Sequence, residues 1–277
     1  MPLRRPRFIF DVHIGSYVQN GTIARSEWEL VRRYLAKHAR YAISAITLHE
    51  LIAGIDRGSD VHFHHNREPL RILHEPAGRE FLPLSHDFVR STVFKLPSRL
   101  KAFGPKKLEK LVTVILKAPT KADLIGGRVK LDGKSYGASI STLANYIQQG
   151  KRQDADRLER LRQKQLHTST QEMWCEELLK RMGVPSTPEN IEKVKESLDA
   201  AWCFEWERYK VVKDKGYDFG LHGSDWLDSQ LLLYLADPQM HIVSNDKRMK
   251  HFIRDSQQFS RMLGFHDLIA MARATNP

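Results

Sequence analysis

Five carboxylates stand where this 277-residue chain could build chemistry. Asp11 directly follows the apolar run Phe8-Ile9-Phe10, and Glu50 sits in the first turn of an amphipathic stretch opening at Thr47. Asp225 and Asp228 are three residues apart, hence on one face of a helix start. Asp246 comes immediately after Met240-His241-Ile242-Val243-Ser244. Carboxylates that converge without Lys or Arg between them repel, and they stay ionised only if a cation neutralises them. Oxygen-only ligands favour Mg²⁺ or Mn²⁺ over zinc. Beside a phosphodiester, such an ion activates water for in-line displacement and stabilises the developing charge. Each acid also has a plain structural use. Thr47-Leu48-His49-Glu50 reads as a capping box, and Asp225 and Asp228 suit a helix dipole. Asn245-Asp246 suits a turn and helix cap, and Asp11 could pair with a neighbouring cation.

Convergence depends on the elements that carry these residues. Arg7 to Asp11 and Tyr41 to Ala45 read as short strands apolar on both sides of the pleat, as in buried parallel sheets. Residues 25–38 carry Trp28, Leu30, Val31, Tyr34 and Leu35 as a helical stripe, and a second helix runs from Thr47 through Ile55. Residues 105–117, 138–148, 154–182 and 188–210 have helical patterns, the last opening at Thr187-Pro188. A hairpin turning at Asp132-Gly133 interrupts them. Near the C-terminus a helix from Ser224, a strand over Met240–Ser244, a short helix from Lys247 and a strand within Arg261–Phe265 restore the α/β rhythm. The expected fold is an α/β domain with a mainly parallel central sheet, in two parts (1–98 and 216–277), split by a mostly helical insertion (99–215). In an open parallel sheet all strand C-terminal ends lie on one edge, where ligands bind, so acids distant in sequence can meet there.

At these segments the chain resembles the PIN-domain nucleases, which include VapC-type toxins and RNA-processing nucleases. The matching stretches are Phe8-Ile9-Phe10-Asp11, Ile43-Ser44-Ala45-Ile46-Thr47-Leu48-His49-Glu50-Leu51, Asp228-Ser229-Gln230-Leu231-Leu232 and Ile242-Val243-Ser244-Asn245-Asp246-Lys247. They span roughly residues 7–98 and 216–277. Val12-His13 stands where the family usually has Thr, Ser or Asn after the first acid. The resemblance implies a three-layer α/β/α sandwich and a Mg²⁺ or Mn²⁺ site on Asp11, Glu50, Asp228 and Asp246, with Asp225 as an additional ligand. The implied activity is that of an endoribonuclease, leaving a 5′-phosphate and a 3′-hydroxyl. The alternatives are a non-catalytic nucleic-acid-binding or scaffold protein and a structure-specific DNA nuclease.

The composition agrees with a nucleic-acid partner. Lys+Arg outnumber Asp+Glu 44 to 33, a formal net charge of +11, and residues 101–215 supply most of the excess. Lys247, Arg248 and Lys250 follow Asp246, and Lys106, Lys107 and Lys110 cluster in the insertion; both trios are candidates for gripping RNA phosphates, or those of DNA. A third cluster, from Lys151 to Lys164, is interleaved with Asp154, Asp156 and Glu159 and reads equally as a solvated face. The insertion could also carry a homo-oligomer or protein contact. Two cysteines, Cys175 and Cys203, exclude a disulfide scaffold and Cys-rich zinc modules. No apolar run approaches the ~18–20 residues of a membrane span. Phe8-Ile9-Phe10 is too short for a signal-peptide core, so a cytoplasmic location is expected. Gly133-Lys134-Ser135 is not a P-loop ending, because Arg128 stands where that motif needs Gly. His62-Phe63-His64-His65 is a lesser candidate for a transition metal.

Overall fold

A computed structural model of the chain describes residues 5–57, 60–99, 104–125, 130–131, 134–162, 169–215 and 224–275. Its strands are β1 (Arg7–Phe10), β2 (Arg40–Ser44), β3 (Glu80–Leu82), β4 (Lys130–Leu131), β5 (Lys134–Ser135), β6 (Met240–Val243) and β7 (Met262–Leu263). Five of them form an all-parallel sheet in the order β3-β2-β1-β6-β7. Phe10 lies opposite Val243 in the central β1–β6 pair. The expected hairpin is present as the antiparallel β4–β5 pair, while the Asp132-Gly133 turn lies outside the described residues.

The first helices are α1 (Val12–Gln19), α2 (Arg25–His38), α3 (Ala45–Arg57), α4 (Phe63–Leu73) and α5 (Ser85–Val93). The long central stretch holds α6 (Pro105–Lys117), α7 (Lys121–Ile125), α8 (Tyr136–Arg162), α9 (Ser169–Met182), α10 (Pro188–Ser197) and α11 (Asp199–Lys215). The chain closes with α12 (Asp225–Leu232), α13 (Lys247–Phe252) and α14 (Phe265–Ala274). Phe8, Ile9, Phe10 and Tyr41 through Ser44 are all buried, so helices cover both faces of the sheet, an arrangement compatible with a three-layer sandwich. On one face the α2 stripe meets β1, with Trp28 and Tyr34 packing on Phe10 and Phe8 at ring separations of 5.5 and 6.3 Å. Phe265 of α14 completes that layer against Trp28. Beside α1, Gly15 is required by close approach: a Cβ there would stand 2.8 Å from the carbonyl oxygen of Pro69 in α4.

The helical patterns differ from the elements in two places. The 138–148 pattern and the start of 154–182 belong to one helix, α8, with α9 following; residues 163–168 lie outside the described residues. The 188–210 pattern breaks at Leu198, and the cause is tertiary. The Asp199 carboxylate accepts the Ser256 hydroxyl and the Gln257 N–H, while the Gln258 side chain accepts the Ala200 N–H. The expected α10 start is confirmed, with the Thr187 hydroxyl accepting the Asn190 N–H. One contiguous apolar core runs from Phe8, Ile9 and Phe10 through Val112, Leu179 and Phe204, so the central helices share it with the sheet.

Candidate functional site

The end of β1 and the start of α3 are tied together. The Ser44 hydroxyl accepts the Thr47 N–H at 3.0 Å, and the Thr47 hydroxyl donates to the Phe10 carbonyl at 3.1 Å. Ser44 is therefore the cap of α3, and the capping box expected from Thr47 to Glu50 does not form. Glu50 follows in the second turn of α3. At the next strand, Ser244 anchors both neighbouring acids. Its hydroxyl donates to Asp11 Oδ2 at 2.6 Å and accepts the Asp246 N–H at 3.1 Å. Asp246 uses Oδ1 to accept the Arg248 and Met249 N–H groups, so it caps α13 as well.

The acids from these separate elements act on one another. Burial raises the Asp11 carboxyl above its ordinary range, and Asp246 adds to that, while His13 and the Ser244 hydrogen bond oppose it. Burial, then the Asp11 charge, pushes Glu50 up to about 8, with Lys151 as the opposing cation. Asp228 is raised well above its ordinary range: burial dominates, followed by the charges of Asp11, Glu50, Asp246 and Asp225. Four carboxyls from β1, α3, α12 and the start of α13 thus share one electrostatic field at the C-terminal edge of the sheet. Hard oxygen donors, wholly or partly buried and mutually repelling, fit a divalent cation in chemical kind. As placed, no group of three or more His, Cys, Asp or Glu among the described residues is arranged to hold a metal ion.

Asp225 and Arg248 are tied together in the structure. Expected as a metal ligand and a phosphate contact, they bind each other in a two-pronged pair at 2.9 and 2.8 Å, with Asp225 almost fully buried. The reason is burial: a carboxylate out of water needs a cation, and the planar guanidinium matches both its oxygens. Arg248 also lies over the Phe252 ring. Beyond Asp225, Arg208 is fully buried and donates to Asp154 and Glu205, which Arg157 contacts as well. A buried ion network therefore joins α8 and α11 to α12 and α13.

The remaining candidates are placed as follows. Lys247 is exposed at the site's rim, and Lys250 is half-buried, 4.0 Å from Asp267. Lys106, Lys107 and Lys110 lie on α6, which packs mainly against β3, α4 and β4. His64 and His65 are engaged by Arg67 and Gln19, and the Trp174–Trp202 and Trp202–Trp206 pairs are packing contacts. Two residues with roles at the site lacked an assigned one in the sequence. Ser244 stands at a strand end within one of the matching stretches, and Lys151 is one member of a mixed-charge run. No family model, no curated protein and no solved structure matches this chain.

Proposed function

We propose that this chain is a metal-dependent nuclease with a PIN-like α/β/α domain that hydrolyses phosphodiester bonds in RNA. The observation that supports this reading is that Asp11, Glu50 and Asp228 are each raised, first by burial and further by neighbouring carboxylates, at the carboxyl edge of a parallel sheet. Mg²⁺ or Mn²⁺, when bound there, supplies an activated water and neutralises charge on the phosphodiester. Asp11, Glu50, Asp228 and Asp246 are the residues that would hold it. Ser244 orients Asp11, and the cap role of Asp246 fixes its carboxylate against α13. Asp225, being committed to Arg248, steadies α12 and α13 instead of donating to the ion. Lys151 brings positive charge to Glu50 and suits an incoming phosphate. The free thiols Cys175 and Cys203 suit a reducing compartment such as the cytoplasm.

The test uses purified protein on RNA and DNA oligonucleotides with Mn²⁺ or Mg²⁺, then with chelator. RNA cleavage leaving 5′-phosphates is expected, stopped by chelator and reduced by orders of magnitude in Asp11→Asn and Asp228→Asn with RNA affinity nearly kept. Millimolar Mn²⁺ should also raise the melting temperature, since an ion binding only the folded state stabilises it by mass action. Binding of RNA without cleavage under any divalent ion would point to the scaffold reading, and preference for DNA to the DNA-nuclease reading. No Mn²⁺ shift in either wild type or Asp228→Asn would remove the cation site.

A further inference from the structure

A cavity of about 420 Å³ lies between α5, α8 and α9, closed on one side by Trp226 of α12. None of the five carboxylates lines it. Its volume is in the range of sites that enclose small organic ligands. Its shape depends on Gly150: a Cβ there would come within 2.3 Å of the Trp226 ring, so only glycine lets the indole close the cavity against α8.

The lining is chemically mixed in an informative way. Tyr146 and Trp226 supply aromatic surface. Gln149 and Gln153, both exposed and one helical turn apart on α8, supply side-chain amides. Arg181 and Arg99 supply guanidinium groups; Arg181 is shared with Glu177 at 2.6 Å. His86 is more than nine-tenths buried, lines the cavity, and its Nε2 has no hydrogen-bond partner. Burial and the nearby Arg181 charge push its pKa down to about 3, so it offers a neutral imidazole. Asp87, the acid in the lining, already accepts the Ser98 hydroxyl and the Arg99 N–H.

We propose that this cavity is a nucleotide site, taking a nucleobase that carries one phosphate, either as a free mononucleotide or as the end of a strand. Aromatic surface suits a base face. Side-chain amides, which pair a donor with an acceptor, suit a base edge. Guanidinium groups suit a phosphate, and the unsatisfied His86 nitrogen suits a ribose or base polar atom. A bare anion would leave the amides and most of the volume unused, and an apolar ligand would leave the His86 nitrogen unsatisfied and use neither guanidinium.

Calorimetric titration of the full chain in chelator tests this without any dependence on cleavage. The probes are the four nucleoside monophosphates, the matching nucleosides and inorganic phosphate. At least one monophosphate should bind saturably, with its nucleoside and phosphate at least about tenfold weaker. Arg181→Met should weaken it by about tenfold. The double variant Gln149→Ala/Gln153→Ala should do so too, at an unchanged melting temperature because both side chains are exposed. Competition by a 5′-phosphorylated oligoribonucleotide would identify a strand end as the source, and its absence a free mononucleotide. No saturable binding at millimolar monophosphate, phosphate binding as tightly as the nucleotide, or binding unmoved by both variants would overturn the proposal.

Discussion

Glu50 shows what a buried acid among acids costs. Its carboxyl is pushed up to about 8 in the folded chain by burial and by Asp11, against roughly 4.3 when unfolded. Between those values the unfolded chain has released a proton that the folded chain still holds, so the unfolded state binds fewer protons. Stability therefore falls as pH rises through that window and is highest below it. Asp11 and Asp228 are raised as well and act in the same direction. Without divalent ions, the melting temperature should drop as pH rises from about 5 to about 8. Glu50→Gln, which has no charge to form, should flatten that drop. An equal slope in both proteins would mean the Glu50 charge is compensated in a way its surroundings do not indicate.

The buried ion network makes α8, α11, α12 and α13 dependent on one another. Arg208 holds Asp154 and Glu205 from a position with almost no exposure. Removing one partner of such a network strands the others, typically at a cost of about 3–5 kcal/mol. Arg208→Met should lower unfolding free energy by that order in a denaturant titration. Adding Glu205→Gln should recover part of it, because Arg157 and Asp154 then remain as a balanced pair with no surplus buried acid. A single variant as stable as wild type would show that water reaches the network. The same linkage bears on the site. Asp225 is three residues from Asp228, and Arg248 is two from Asp246, so α12 and α13 are set against each other by an ion pair beside the acids.

At the scale of the whole molecule, a net charge of +11 should make RNA binding strongly salt-dependent, by about 0.7 in the log–log slope per phosphate contact. Position divides the basic residues. Lys247 is exposed at the rim, whereas Arg248 is spent on Asp225. Lys247→Ala should reduce the slope by about one contact without changing stability. Arg248→Ala should instead lower the melting temperature, because it removes the two-pronged partner of the buried Asp225 carboxylate. Affinity against salt in Ca²⁺, with melting curves beside it, separates the two; the reverse pattern would refute this division.

What the sequence determined by itself was local and periodic. The spacing of Trp28, Val31, Tyr34 and Leu35 is enough for the α2 stripe, and Thr187-Pro188 for the start of α10, because both depend on neighbours within one or two turns. Unbroken apolar runs at Phe8–Phe10 and Tyr41–Ile43 sufficed for a parallel sheet buried on both faces. The tertiary structure alone decided which charges meet. Ser44 rather than Thr47 caps α3 because the Thr47 hydroxyl is drawn to the Phe10 carbonyl on another strand. Asp225 takes Arg248, Lys151 faces Glu50, and the 188–210 pattern breaks at Leu198 under the pull of residues 256–258. Capping and amphipathic burial are settled within a few residues, whereas the partner of a buried charge is whichever opposite charge the packed helices bring within reach, however distant in the chain.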